Sequence, residues 1–255
     1  MAKLQPVRGT HDLFGDEARR HLHIADTARR VAGLYGFAPA ATPIFEFTDV
    51  FQRTLGETSD IVTKEMYTFT DKGGDSLTLR PEGTAGIARA VISGGLQNEL
   101  PLKCFYDGPM FRHERPQKGR LRQFHQIGVE LIGVPDPVGD VEVIALGAAI
   151  LDALGIGLTK DGRVATLELN TLGDMASRNA YRTVLVEYFR DHADRLSEDS
   201  RERLERNPLR ILDSKDKGDR DIVAGAPAFA DHLTPEATDF FATVRQGLDD
   251  LGIGY

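Results

Sequence analysis

The sequence contains a single cysteine, Cys104, among 255 residues. One thiol can form neither an internal disulfide nor a zinc cluster built from thiolates, so both are excluded. We expect Cys104 to serve as a small buried hydrophobic residue. There is no run of 18 or more apolar residues, so we expect no membrane-spanning helix. The N-terminus lacks the basic-then-apolar pattern of a secretory signal, and we therefore expect a cytoplasmic protein.

Two common nucleotide-binding patterns are also missing. Neither a Gly-x-Gly-x-x-Gly run nor a P-loop occurs, so any nucleotide must be bound by another geometry. The seven histidines show no metal-ligand spacing. His21 and His23, for example, are two residues apart on a predicted helix and do not share a face. The sequence therefore predicts no protein-bound metal and no histidine-based catalyst.

The distribution of charge indicates one local cationic site. The formal net charge is −8, from 39 acidic and 31 basic residues. The segment 101–126 runs against this average, since it holds six basic residues and two acidic ones. A local cationic site in an acidic protein favours a phosphate-bearing ligand, with polyanion contact confined to one patch.

Periodicity and turn residues predict an α+β fold in two parts. In the first part we predict helices at 17–35, 84–93 and 140–154, a short helix or turn at 50–55, extended chain at 37–47, a hairpin of strands 67–69 and 76–80, and a short strand at 165–169. From about residue 171 only helices are predicted, at 176–193, 197–206 and 234–251. We therefore place a sheet-rich domain at 1–170 and a helical domain at 171–255.

The most informative segment is 110–130, MFRHERPQKGRLRQFHQIGVE, which is typical of a strand, a cationic loop and a second strand. Side chains alternate along a strand, so Met110, Arg112 and Glu114 should share one side of the first arm. One side of the second arm should carry an aromatic ring, an amide, a glycine and a carboxylate, namely Phe124, Gln126, Gly128 and Glu130. The opposite side is mostly apolar and can pack into a core. With the loop cations at its mouth, this surface suits an anionic substrate.

A surface hairpin with several basic residues is most often simply solvated, but two features favour a function here. Arg112 is predicted within an apolar strand, where an arginine needs an anionic partner. Glu114 is predicted on the same face, where it can fix Arg112 or accept a hydrogen bond from an amino group. Guanidinium groups suit phosphoryl oxygens because their forked donors match that geometry.

Glu82 and Thr84 follow a predicted buried strand and begin a helix. Taken alone, they are best explained as a helix N-cap and a first-turn acid. Together with Gln126 and Glu130, they would place several acceptors opposite several arginines. That combination fits a zwitterionic amino acid beside a nucleotide phosphate.

Several segments, in order along the chain, resemble one protein family. FRHERPQKGRLRQFHQIGVE resembles the second signature motif of class II aminoacyl-tRNA synthetases, in the form found in histidyl-tRNA synthetases. The other similar segments are RGTHD at 8–12, the Pro-x-x-Glu region at 43–46, LGETSDIVTKEMYTF at 55–69, LTLRPEGTAGIARA at 77–90 and NPLRILDSKD at 207–216. The last is typical of the family's helical insertion.

The resemblance implies a class II synthetase catalytic core at 1–170, built on an antiparallel six-stranded sheet with flanking helices, and a helical insertion domain at 171–255. It implies a homodimer formed through the region around Pro43. The implied reaction activates histidine with ATP, accompanied by Mg²⁺, to histidyl-adenylate. The histidyl group is then transferred to the 3′ end of tRNA(His).

The resemblance also implies a role for each motif residue. Arg112 would hold the α-phosphate and Arg120 the outer phosphates, and both would stabilise charge developing at the phosphorus. Glu114 would meet the adenine side, Phe124 would stack beneath the base, and Gln117 would touch the tRNA acceptor end. The histidine-binding residues would be Glu82, Gly83, Thr84 and Gln126, with Glu130 on the imidazole.

Members of the family continue beyond the position of residue 255 into a third motif and an anticodon-binding domain. We therefore expect the chain to correspond to the N-terminal part of a synthetase, with little or no ligase activity. The alternative is a synthetase-like regulatory subunit of ATP phosphoribosyltransferase, which binds histidine without aminoacylating. Such proteins tend to lose phosphate- and tRNA-contacting residues, whereas Arg112, Glu114 and Arg120 are present here.

Two further alternatives remain. An inactive scaffold or dimerisation fragment is distinguished from an enzyme only by activity. An asparaginyl- or prolyl-type relative is disfavoured, because Glu130 and the Arg-Pro-Glu-Gly-Thr run at 80–84 fit the histidine form best.

Overall fold

The computed structural model describes residues 4–56, 59–158 and 165–255. The chain divides into two units, one of Met1–Pro135 with Gly139–Thr166 and one of Asp136–Val138 with Leu167–Tyr255. The functional division into a catalytic core at 1–170 and an insertion domain at 171–255 stays a prediction.

The first unit alternates helices with two small sheets. Its elements are α1 Gly15–Leu34, β1 Ala38–Pro39, β2 Phe45–Phe47, α2 Thr48–Leu55, β3 Tyr67–Thr70, β4 Ser76–Leu79, α3 Thr84–Ser93, β5 Leu102–Phe111 and β6 Gln123–Ile132, followed by α4 Pro137–Ala153. A π-helical turn, Ile61–Glu65, precedes β3. The predicted helices of this part and the hairpin around DKGGD are confirmed, with ends shifted by at most three residues.

The strands form two three-stranded sheets within the described residues, where a single six-stranded antiparallel sheet was expected. In one sheet β2, β4 and β3 pair antiparallel. In the other, β5 and β6 form a ten-residue antiparallel ribbon, and β1 pairs with β5 in parallel. Pro39 has no amide hydrogen, which confines the two-residue β1 to the sheet edge. The α+β class with a mainly antiparallel sheet and flanking helices is confirmed.

Both faces of the β5–β6 ribbon are packed, whereas the sequence indicated one apolar face and one polar face. On one side, Phe105 packs with Ala28 of α1 and Leu146 of α4. On the other side, Met110 and Tyr106 pack with Ile87 of α3. The face that was predicted to be polar therefore contributes to a hydrophobic core, and its polar residues lie beside buried apolar ones.

The apolar repeat of Ile24, Ala28, Val31 and Leu34 predicts the buried side of the first helix, and α1 follows it only in part. Ala28 and Val31 are buried as expected, but Ile24 and Leu34 are 42% and 77% exposed. Thr27 and Ala32 are buried in their place. The packed side of α1 is therefore formed by Thr27, Ala28, Val31 and Ala32.

The second unit is helical within the described residues. Its helices are α5 Met175–Asp191, α6 Glu198–Arg206, α7 Lys217–Val223 and α8 Pro235–Asp250. Leu185, Phe189, Ile211 and Ile222 form the centre of its core. The three predicted helices are confirmed, and α7 was missed because seven residues give too few turns for a clear period.

The strand predicted at 165–169 is wrong. Ala165 makes only an isolated bridge to Leu158, and residues 166–170 have no regular structure. A short apolar run becomes a strand only where a partner supplies a ladder of hydrogen bonds. Across the part of the chain that the structure describes, no helix has both the length and the apolar character to cross a bilayer.

Candidate functional site

The segment between β5 and β6 is held by backbone hydrogen bonds. The Arg112 amide donates to the Arg122 carbonyl over 2.9 Å, and the His113 amide donates to Glu65 O over 2.7 Å. At the tip, Gln117 and Arg120 exchange backbone hydrogen bonds of 3.2 and 2.9 Å. Because β5 ends at Phe111, Arg112 and Glu114 lie beyond the strand, and their predicted place in its alternation is wrong.

Glu82 stabilises the start of α3. Its carboxylate accepts hydrogen bonds from the Thr84 amide over 2.6 Å and from the Ala85 amide over 2.8 Å, and its side chain is buried. A carboxylate here also complements the positive end of the helix. Glu82 thus acts at the helix start, but it precedes the N-cap, Gly83, and does not lie in the first turn as predicted. Its role toward an amino acid stays a prediction.

Glu130 on β6 accepts two hydroxyl donors on the same oxygen. Thr84 Oγ1 donates to Glu130 Oε1 over 2.7 Å, and the Tyr106 hydroxyl donates to it over 3.3 Å. Burial raises the pKa of Glu130, and the two hydroxyl donors act against that rise. Burial also raises the pKa of Tyr106 to about 12. The hydroxyl of Tyr106 is therefore a donor at any physiological pH.

Tyr106 is the residue that sequence reasoning missed here. It lies directly opposite Gly128 in the ribbon and is 6% exposed. A Cβ at either Gly83 or Gly128 would overlap its ring. The two-residue period, extended back from Met110 through Gly108, would have placed Tyr106 on the same face.

Gln126 carries an unsatisfied polar atom at this face. Its Oε1 is buried and has no hydrogen-bond partner among the described residues. A buried acceptor without a donor costs about 1–3 kcal/mol, so such atoms in a folded protein call for an explanation. A ligand that donates a hydrogen bond beside Gly128 and Glu130 would supply one.

The arginines and acids of the expected phosphate-binding region are paired differently from the sequence-based expectation. Arg112 Nε donates to the Pro81 carbonyl over 2.9 Å, and its guanidinium lies 5.2 Å from the Phe124 ring centre. Glu114 pairs with Arg120, at 3.1 Å, whereas the sequence suggested either Arg112 or a ligand amino group as its partner. Arg112 is thus oriented by a carbonyl and an aromatic face, and not by Glu114.

Glu65 is a second acidic residue in this region that the sequence did not single out. It is the last residue of the π-helical turn, and its backbone carbonyl accepts the hydrogen bond from the His113 amide. Such turns are frequent at functional sites. Burial, and then the nearby Glu114 charge, raise the pKa of Glu65, while Arg112 opposes that rise. The segment 55–69 resembled the family, but nothing in its pattern distinguished Glu65.

Arg80 connects the two sheets beneath the site. It is buried, and its guanidinium donates to the carbonyls of Pro109 and Thr42 over 2.9 and 3.0 Å. Gly108 leaves room for it, since a Cβ there would overlap the guanidinium. Because Arg80 precedes Pro81, this bracket fixes the carbonyl that orients Arg112.

The structure thus brings the predicted site residues together in three groups. The first comprises the expected histidine-binding residues Glu82, Gly83, Thr84, Gln126 and Glu130, joined by Tyr106. The second is Arg112 with Phe124, and the third is Glu114 with Arg120. Gln117 is exposed in the turn between β5 and β6. Within the described residues, no three His, Cys, Asp or Glu side chains are grouped to hold a metal ion.

Comparison with known proteins gives a consistent result. The family described as "Histidyl-tRNA synthetase" matches residues 9–169. The chain is 67% identical over 255 residues to a histidine–tRNA ligase from Rhodospirillum rubrum and 60% identical over 255 residues to one from Gluconacetobacter diazotrophicus. Each alignment covers the whole of this chain and 60% of the relative. The chain therefore spans about 60% of the length of the curated relatives it matches.

Solved structures extend the comparison to the fold. The chain matches apo histidyl-tRNA synthetase from S. aureus with a TM-score of 0.74 and 35% identity, over 100% of this chain and 56% of that one. It matches a Bacillus halodurans protein with a TM-score of 0.62 and 26% identity, over 99% of this chain and 66% of that one. The latter is described as an ATP phosphoribosyltransferase regulatory subunit/histidyl-tRNA synthetase.

Proposed function

Because the chain belongs to the histidyl-tRNA synthetase family, we propose that it carries the histidine-activating site of a histidine–tRNA ligase. One observation carries the proposal: two acceptors, Glu130 and the unsatisfied Oε1 of Gln126, lie on the same strand as Phe124, and the guanidinium of Arg112 lies over the Phe124 ring. In this proposal the two acceptors serve the ammonium and the imidazole of histidine, and Arg112 serves a phosphate.

The histidine would lie along β6. In this proposal Glu130 accepts the imidazole N–H, and the unsatisfied Gln126 Oε1 accepts from the α-ammonium. The Glu82 carboxylate, near the start of α3, adds negative charge that favours the ammonium. Gly83 and Thr84 complete this side of the pocket. The histidine carboxylate is then left to face the phosphate side.

ATP would enter as its Mg²⁺ complex, with Mg²⁺ as part of the substrate. Arg112 would hold the α-phosphate, while Phe124 stacks beneath the adenine and Glu114 meets its edge. Arg120 would move from Glu114 to the outer phosphates, whose charge competes with a single carboxylate. The histidine carboxylate oxygen then attacks the α-phosphorus, forming the acyl phosphate bond as pyrophosphate leaves. Arg112 stabilises the charge that develops, and the pocket supplies the alignment.

Transfer to tRNA(His) would take place at the same site. The exposed Gln117 turn, with its flanking basic residues, would contact the acceptor end, and this contact should weaken as salt rises. We also propose a homodimer formed through the region around Pro43. In support, Phe45 and Phe47 on β2 are 52% and 57% exposed, as expected for a surface that a partner covers. The proposed location is the cytoplasm, where family members charge tRNA.

The regulatory-subunit alternative is kept because a structural neighbour carries that description. It is less well supported, since the arginines and the turn that phosphate and tRNA require are all present. The distinguishing experiment is histidine-dependent ATP–pyrophosphate exchange, on residues 1–255 and on the complete protein in which this sequence occurs. Exchange in the complete protein supports the ligase. Histidine binding without exchange in either form would favour the regulatory subunit.

A further inference from the structure

The two carboxylate oxygens of Glu130 differ in their hydrogen bonding. Oε1 accepts from Thr84 Oγ1 over 2.7 Å and from the Tyr106 hydroxyl over 3.3 Å. No described residue donates a hydrogen bond to Oε2. A carboxylate with one oxygen engaged by two fixed donors has a fixed plane, so its second oxygen has a fixed direction.

The position of the Tyr106 hydroxyl is itself fixed by the backbone. Its ring lies between Gly83 and Gly128, at each of which a Cβ would overlap it. Gly128 belongs to β6 and is directly opposite Tyr106, and Gly83 precedes α3. The ring therefore fills a slot between the backbone at Gly83 and the backbone at Gly128. It cannot move toward either side without displacing one of these two segments.

From this geometry we propose that Tyr106 is a positioning residue for histidine recognition. By binding Oε1 it directs Oε2 of Glu130 toward the imidazole N–H of the substrate. The inference rests on the proposed function of the same site and adds to it a residue that makes no contact of its own with the reacting atoms. The unsatisfied Gln126 Oε1 on the same face independently indicates that a donor-bearing ligand belongs here.

The ionisation of Glu130 provides a readout that a purely structural role would not change. The titratable groups near it are Glu82 before α3 and, on β5, Tyr106 and Cys104. Burial raises the pKa of Glu130, and the Tyr106 hydrogen bond lowers it. Loss of the hydroxyl should therefore raise that pKa. Since the carboxylate must be charged to attract the imidazole N–H, histidine binding should then fail at a higher pH than in the unmodified protein.

The test is Y106F in the complete protein that contains these residues. Phenylalanine keeps the ring in its slot and removes only the hydroxyl. We expect the histidine KM and Kd to rise about tenfold, the typical effect of losing a hydrogen bond to a charged group. The ATP KM and the kcat of exchange should stay unchanged. The acid limb of histidine binding should move to higher pH, and free histidine titrates identically in both measurements.

The matched control is Y181F in the second unit. The hydroxyl of Tyr181 also makes a single hydrogen bond, to the Pro227 carbonyl over 3.0 Å, and its ring is also buried. Its loss should leave histidine binding and its pH profile unchanged. If Y106F does not fold, T84V removes the other hydroxyl donor to Oε1 and should shift the acid limb in the same direction.

The outcomes separate this inference from the proposed function. Unchanged histidine affinity and pH profile in Y106F would overturn the inference. Equal weakening of histidine and ATP would assign Tyr106 a purely structural role and overturn it as well. If the unmodified protein neither binds histidine nor supports exchange, the proposed function itself fails.

Discussion

Replacing Gly128 by alanine tests whether the slot around Tyr106 is as tight as the structure indicates. The added Cβ would overlap Cζ and Oη of the ring. The ring has no free side to move toward, because a Cβ at Gly83 would overlap it too. Overpacking of a rigid core site costs about 1–3 kcal/mol. For a chain of this size, that lowers the melting temperature by about 2–4 °C per kcal/mol.

The measurement is thermal unfolding of G128A followed by circular dichroism, with histidine binding by calorimetry. The control is G147A, an exposed glycine in α4 where an added Cβ meets nothing within 4 Å. Alanine in a helix interior is favoured over glycine by about 1 kcal/mol, so G147A should raise the melting temperature. The two Gly→Ala changes should thus have opposite signs. A melting temperature of G128A equal to or above that of the unmodified chain would refute the reasoning.

Three further predictions concern the phosphate side, the second unit and the loop. R112K should lower the kcat of pyrophosphate exchange by about tenfold or more, because lysine lacks the forked guanidinium that can bind both the Pro81 carbonyl and a phosphate. An unchanged kcat would show that Arg112 takes no part in the catalytic step. Burial alone would raise the pKa of Asp219, but hydrogen bonds from Ser200, Ser214 and Ser197 lower it to about 2. The free energy of unfolding should therefore decrease as the pH falls from about 4 to 2, where Asp219 becomes protonated. D219N has no carboxylate to protonate, so its acid unfolding should lack this decrease. K118A should reduce the slope of log affinity for tRNA against log salt concentration by about one. A slope identical to that of the unmodified protein would place Lys118 outside the interface.

The sequence predicted most of the local structure correctly where local signals suffice. The hairpin around DKGGD and helix α3 were found because turn residues, alternation and helix-start residues act within a few positions. The strand at 165–169 was wrong and α7 was missed. In both cases the segment is short, so the outcome depended on partners far away in sequence.

The candidate site shows the same limit at the level of side chains. The motif residues of β6 were predicted as a row, and the ribbon places them so. The placement of Arg112 and Glu114 within the strand was predicted wrongly, because β5 ends at Phe111. Tyr106 was missed, although alternation extended by four residues would have reached it.

The sequence by itself determined the family, the order of the motifs and the class of the fold, because these depend on residue types at short spacings. Only the tertiary structure decided which groups reach Glu130. Thr84 and Tyr106 are 46 and 24 positions away from it in sequence. They meet it because α3 packs against the β5–β6 ribbon, and two glycines allow the tyrosine ring between them. Such contacts follow from packing in three dimensions, which no local pattern records.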